Sequence, residues 1–111
     1  MRVKGRLFCG DRPASGVRVK LIEEDSGLDP DDDLDEKRTD EEGRFRLRGS
    51  TRELSNIEAF LKVYHNCNDA KWPCDRKWRF ALPTSYINGR EFDFGEVNLE
   101  VVLPAEERHC V

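Results

Sequence analysis

The sequence has few of the features that build a membrane span or a helical core. No uncharged apolar run approaches the ~20 residues that a spanning helix needs, so no transmembrane segment is expected. Heptads and Gly-x-y repeats are absent, which excludes a coiled coil and a collagen-like chain. Histidine is scarce, with only His65 and His109, and no nucleophile elbow or other catalytic spacing is legible. The EF-hand order of acidic residues and Gly is missing, as is any Asn-x-Ser/Thr acceptor. Met1-Arg2-Val3-Lys4 is not the start of a leader, so the chain reads as a mature one whose leader has been removed. Apolar residues are sparse without being too few to fold. Leu, Ile, Val and Phe supply 27 of 111 residues, above the roughly 20% at which disorder becomes the default. A single domain with a modest core, spanning residues 1–111, is expected.

Against that background four cysteines stand out: Cys9, Cys67, Cys74 and Cys110. An even number in a small, core-poor chain points to two disulfides and an oxidising compartment. Cys67 and Cys74 enclose a short loop and are expected to pair, leaving Cys9 with Cys110. A zinc site on His65, Cys67 and Cys74 is disfavoured by the cysteine spacing, so no metal is assigned.

The dominant pattern has period two. Val3, Gly5 and Leu7 alternate with Arg2, Lys4 and Arg6; Val17, Val19 and Leu21 with Arg18 and Lys20; Phe45 and Leu47 with Arg44, Arg46 and Arg48. Residues 58–65 alternate again, as do Arg76, Trp78, Phe80 and Leu82 with the residues between them. Asn88-Gly89 signals a hairpin, and Val97, Leu99, Val101 and Leu103 read as the last strand, stopped by Pro104. Only residues 51–57 suggest a short helix. Seven or eight short strands separated by turns predict an all-β sandwich.

The net charge of −4 conceals a segregation. Residues 1–20 carry six basic groups and one acid; residues 21–42 carry two basic groups and twelve acids; residues 43–52 carry four basic groups and no acid. The acidic stretch from Glu23 to Glu36 reads as a solvated inter-strand loop, with calcium binding through residues 29–36 as its alternative. The outward positions of three strands hold Arg2, Lys4, Arg6, Arg18, Lys20, Arg44, Arg46 and Arg48. If those strands share a sheet, their cations share a face that attracts anionic lipid head groups. Nucleic acid or sulfated glycans would be drawn to the same face, but nucleic acid is not the expected partner. The loop around Lys71 and Trp72, with Arg76 and Lys77 beside it, offers an indole suited to a membrane or protein interface. The candidate lipid-binding residues are therefore Arg44, Arg46, Arg48, Lys71, Trp72, Arg76 and Lys77. Trp78 shares a face with Phe80 and Leu82 and is assigned to the core.

Five segments in register carry a resemblance: residues 3–9, 13–21 and 39–47, the stretch Leu61-Lys62-Val63-Tyr64-His65-Asn66-Cys67, and Phe92-Asp93-Phe94-Gly95-Glu96-Val97-Asn98-Leu99. Together they resemble the nematode transthyretin-like family of secreted proteins. The resemblance implies a prealbumin-like β-sandwich, secretion and disulfides. Within the family it leans towards secreted members that recognise phosphatidylserine on apoptotic cells and bridge them to an engulfment receptor, which implies those two partners. It implies no cofactor. The alternative it carries is an extracellular carrier of a small hydrophobic ligand, after transthyretin. Hydroxyisourate hydrolases of the same fold end in Tyr-Arg-Gly-Ser; this chain ends Glu106-Glu107-Arg108-His109-Cys110-Val111, so no enzymatic activity is expected. A homodimer joined through an edge strand is the expected form of any self-association.

Overall fold

The computed structural model describes residues 1–25, 32–49, 57–68, 74–83 and 90–110. Among them the chain forms nine strands and no helix: β1 (Arg2–Cys9), β2 (Arg12–Pro13), β3 (Arg18–Asp25), β4 (Asp32–Arg38), β5 (Arg44–Arg48), β6 (Ile57–His65), β7 (Asp75–Ala81), β8 (Glu91–Asn98) and β9 (Glu107–His109). The anticipated helix at 51–57 and the Asn88-Gly89 hairpin lie outside the described residues, apart from Ile57, which opens β6.

The strands form two sheets. In the first, β1 is central, antiparallel to β5 and the short β2 and parallel to β8. The second runs β4-β3-β6-β7-β9, antiparallel throughout. Period-two alternation explains the core directly, because successive side chains point to opposite faces. Val3 and Leu7 from β1, Phe45 and Leu47 from β5, Val19 and Leu21 from β3, Leu61 and Val63 from β6, and Trp78 from β7 are buried between the sheets. Edge-to-face contacts from Trp78 to Phe80 (5.8 Å) and from Phe80 to Phe94 (5.0 Å) carry the aromatic packing from the second sheet into the first.

Two glycines are required by this packing. Gly43 sits at φ +79°, and a Cβ there would lie 2.2 Å from the Leu7 carbonyl oxygen. Its own carbonyl accepts from the Leu7 N–H at 2.8 Å, which docks the β4–β5 turn onto β1. Left-handed geometry alone costs a non-glycine residue about 1–2 kcal/mol. Gly43→Ala is therefore expected to destabilise the fold by more than ~2 kcal/mol, read as a lowered midpoint in chemical denaturation. At Gly5 the absent side chain admits the Phe45 ring, which a Cβ would meet at 2.8 Å.

The structure corrects three expectations. The disulfides are Cys9–Cys67 and Cys74–Cys110, not Cys67–Cys74 and Cys9–Cys110. Cys67 turns inward at the end of β6, opposite the end of β1, so its bridge fastens one sheet to the other. Cys74 precedes Asp75, which pairs with His109 across β7 and β9, so its cross-strand neighbour is Cys110. Nor is the acidic stretch all loop: Asp32–Arg38 pairs with β3 as an edge strand. Cross-strand charge pairs hold it there, Lys20 to Asp33 (3.3 Å) and Arg18 to Glu36 (3.4 Å), while Leu34 packs on the core. The last long strand ends at Asn98 rather than continuing to Leu103. The Asn98 side-chain oxygen accepts the backbone N–H groups of Gly10 and Glu100, each at 3.0 Å, and so turns the chain out of the sheet.

Candidate functional site

The outer face of the first sheet gathers charge in ordered columns. Antiparallel register sets Arg2 opposite Arg48, Lys4 opposite Arg46 and Arg6 opposite Arg44. Six cations thus occupy a grid of two strands by three rows, with Phe45 and Leu47 of β5 turned into the core. On the far side of β1 the parallel strand β8 sets Glu91 beside Arg2, Asp93 beside Lys4 and Glu96 beside Arg6. A column of carboxylates therefore flanks two columns of cations.

Like charges directly opposite one another are unfavourable, and the carboxylates relieve them. Glu91 bridges Lys4 (3.5 Å) and Arg46 (3.3 Å), Glu96 meets Arg6 (3.7 Å), and Glu42 meets Arg44 (3.2 Å). The Arg44 and Arg46 side chains remain 60% and 69% exposed despite these partners. Exposed pairs of this kind contribute only about 0–1 kcal/mol each, so an incoming anion can replace the carboxylates at little cost. An open depression of about 530 Å³ lies over the grid, lined by the cations Lys4, Arg6, Arg44 and Arg46 and by the carboxylates Asp40, Asp93 and Glu96.

Of the residues singled out from sequence, Arg44, Arg46 and Arg48 belong to this face, and β1 adds Arg2, Lys4 and Arg6 to them. Arg18 and Lys20 do not join them. They lie on the second sheet, where Arg18 covers the Tyr64 ring at 4.2 Å and Lys20 pairs with Asp33. Lys77 is on that sheet too, 3.7 Å from Glu107. Lys71 and Trp72 lie outside the described residues.

Arg76 must be reassigned. It is 4% exposed and cannot reach a head group. Its guanidinium pairs with both oxygens of Glu106 (2.8 and 2.6 Å) and donates to the carbonyls of Cys67 (2.9 Å), Leu99 (3.1 Å) and Val101 (2.8 Å). The Trp78 indole N–H donates to the same carboxylate at 2.7 Å. Hydrogen bonding from Arg76 holds Glu106 below its ordinary range, against the opposing effect of burial, with Trp78 and the charges of Arg76 and His65 acting in the same direction as that bond. Arg76 is thus the buried clasp of the segment that follows β8.

Sequence reasoning missed the acidic column. Its signal was present, since Glu91 and Asp93 alternate with Phe92 and Phe94 as regularly as the arginines alternate with Phe45 and Leu47.

Comparison with known proteins fixes the family. The model of the transthyretin-like family (TTR-52) matches residues 4–83. The chain belongs to the transthyretin-like family. Transthyretin-like protein 46 of Caenorhabditis elegans is 54% identical over 115 residues, covering 98% of this chain and 64% of its own length. Transthyretin-like proteins 2 and 33 of the same organism are 41% and 40% identical, each covering 98% of this chain and 80% of its own length. The chain thus spans about two thirds of the first of these transthyretin-like relatives. Among solved structures, a 9R-lipoxygenase from Cyanothece superposes with a TM-score of 0.59 at 19% identity, over 88% of this chain and 16% of the lipoxygenase, a likeness of fold alone. Among the described residues, no group of three or more His, Cys, Asp and Glu could hold a metal ion, and no helix is long and apolar enough to cross a membrane.

Proposed function

We propose that this transthyretin-like chain is a secreted binding module that recognises phosphatidylserine on apoptotic cell surfaces and bridges them to an engulfment receptor. The observation that carries the lipid half is the in-register grid of six cations beside the acidic column of β8. Phosphatidylserine presents a phosphate and a carboxylate together with an ammonium. Arginine and lysine suit the two anions through charge-assisted hydrogen bonds, and Asp93 and Glu96, beside Lys4 and Arg6, offer carboxylates to the ammonium. Lys71 and Trp72 are kept in this reading on the sequence argument. The receptor half and secretion rest on family membership, with two disulfides consistent with an oxidising compartment.

Co-sedimentation with vesicles tests the lipid half. Binding to phosphatidylserine vesicles should exceed binding to phosphatidylcholine, and it should weaken as salt rises. Reversal of Arg44, Arg46 and Arg48 to Glu should weaken binding at least tenfold, on the basis of about 1 kcal/mol per cation near a charged surface. A triple variant that binds like the parent would exclude this face. Parallel runs with and without calcium test residues 29–36. Retention of an apolar ligand with no lipid preference would favour the carrier instead.

A further inference from the structure

The outer face of the second sheet carries a separate field of cations. Val19, Leu21, Leu61, Val63 and Trp78 turn into the core, so the residues that alternate with them face outward. Strand register sets those residues in rows. Arg38, Arg18, Tyr64, Lys77 and Glu107 form one row across β4, β3, β6, β7 and β9. Glu36, Lys20, Lys62 and Arg79 form the next. Neighbours within a row are about 5 Å apart, and the rows about 7 Å. Six cations of the described residues thus fall in two adjacent rows. The carboxylates that meet them stand at the borders. Glu36 and Asp33 on edge strand β4 reach Arg18 (3.4 Å) and Lys20 (4.0 and 3.3 Å), and Glu107 on β9 reaches Lys77 (3.7 Å). Glu24 and Glu58 lie two rows beyond Lys20 and Lys62, past Ile22 and Phe60. Across the middle, Lys20, Lys62 and Arg79 stand directly opposite one another, which costs stability unless an anion offsets it.

Aromatic rings hold these cations in place. Arg18 covers the Tyr64 ring at 4.2 Å, with Lys20 at 5.8 Å, and Arg79 covers the Phe60 ring at 3.9 Å. Tyr64 and Phe60 are buried beneath them. Stacking engages the flat face of a guanidinium, whereas oxyanions are recognised by its in-plane N–H fork. The side chains are therefore partly ordered before any ligand arrives, which lowers the cost of binding one. At the end of the first row lies a depression of about 230 Å³, lined by Arg18, Arg38 and Asp75 with Tyr64, His65 and Asn66 beside them. Two guanidiniums against one carboxylate favour an anionic group there.

The two outer faces of a sandwich point in opposite directions. A flat bilayer held by the cation grid of the first sheet cannot also touch the second, so the second face suits a separate polyanion. The two disulfides belong to an oxidising compartment, where sulfated glycans rather than nucleic acids are the abundant linear polyanions. We propose that the outer face of the second sheet binds a sulfated glycan chain laid across β3, β6 and β7. Lys20, Lys62 and Arg79 run along its anionic groups, and Arg18 and Arg38 take one sulfate in the depression. The proposal goes beyond the lipid reading and uses none of the first sheet's cations.

The probes are heparin, desulfated heparin and phosphatidylserine vesicles, and the variant is K62Q/R79Q. The parent should bind heparin, less tightly as salt rises, and should hold the desulfated chain far more weakly. K62Q/R79Q should lose roughly tenfold in heparin affinity, the scale of two cations facing a dense anionic surface. Its vesicle binding should be unchanged. K62R/R79K keeps both charges and should bind heparin like the parent. Equal heparin binding by the parent and K62Q/R79Q overturns the proposal, as does an equal loss in K62R/R79K or equal retention of the desulfated chain. Loss of vesicle binding in K62Q/R79Q would give this face to the bilayer and overturn it too. Tighter binding of a single-stranded oligonucleotide than of heparin would do the same in favour of nucleic acid. A parent that binds heparin through Lys62 and Arg79 but binds no vesicle overturns the lipid reading and leaves this one standing.

Discussion

Replacing Glu106 with Ala is expected to lower the stability of the fold by about 3–5 kcal/mol, because it strands a buried arginine charge. Domains of this size hold only about 5–15 kcal/mol in total, so the loss would consume a large share of the margin. In thermal unfolding it should appear as a fall of roughly 15 °C or more. Arg76 keeps three carbonyl partners in the variant, from Cys67, Leu99 and Val101, but no negative charge faces it. Trp78 loses its only acceptor in the described network. The double variant R76M/E106L should recover part of the loss, since two apolar side chains leave no buried charge. It should not recover all of it, because the indole N–H and the three carbonyls then lack their partners. A double-mutant cycle measures this coupling. Additive losses would show that the pair is not a unit.

The same pair sets an acid limit. Arg76 depresses the folded-state pKa of Glu106 below its ordinary value of 4.5. A carboxylate that titrates lower in the folded state contributes stability above its unfolded pKa and loses it as pH falls through the folded one. The parent should therefore be most clearly superior to E106Q at neutral pH, and the gap should narrow as pH drops below about 4.5. Urea midpoints of the two chains at pH 7 and at pH 3 check the sign. A gap that stays constant across that range would mean that Glu106 acts by shape and hydrogen bonding rather than by charge.

The sequence revealed local structure better than partnership. Alternation located β1, β5, β6 and β7 within a residue or two, because each has apolar residues at every second position and a period of two leaves no other way to bury them. It found the start of β3 but not its end, since the strand runs on through Glu23, Glu24 and Asp25, which read as loop. β4 escaped notice because Leu34 is the only apolar residue in Asp-Asp-Leu-Asp-Glu-Lys-Arg; it is a strand because of what pairs with it, not because of its own propensity. Arg76 was misassigned although the clue was available. It alternates in step with Trp78 and Phe80, and a charge at an inward position needs an internal partner. That partner, Glu106, is thirty residues away and joins Arg76 only through the strand order of the second sheet. The grid on the first sheet was half legible. The basic residues were visible on each strand, but the adjacency of β1 and β5, and the acidic strand on the other side of β1, belong to topology.

Topology decides the disulfides too, and their removal is the second large effect. Cys9–Cys67 spans 58 residues and Cys74–Cys110 spans 36. Constraining loops of these lengths in the unfolded chain is worth about 4 kcal/mol each in the chain-entropy model. C9S/C67S and C74S/C110S should therefore lose similar amounts in chemical denaturation while failing in different places. Cys9–Cys67 joins the two sheets, so its loss should raise hydrogen exchange across β1 and β6 together. Cys74–Cys110 secures only the short β9, which Arg76 and Glu106 also hold through the adjoining turn. Its loss should free the amides of β9 first and leave the inner strands protected, as expected where a terminal element opens below the global limit. C74S/C110S should also deepen the effect of E106A, because both hold the same segment against the same edge. Non-reducing peptide mapping of the parent provides the prior check: fragments joined as Cys9–Cys67 and Cys74–Cys110 are expected, and a Cys67–Cys74 fragment would overturn both the pairing and the exchange pattern argued from it.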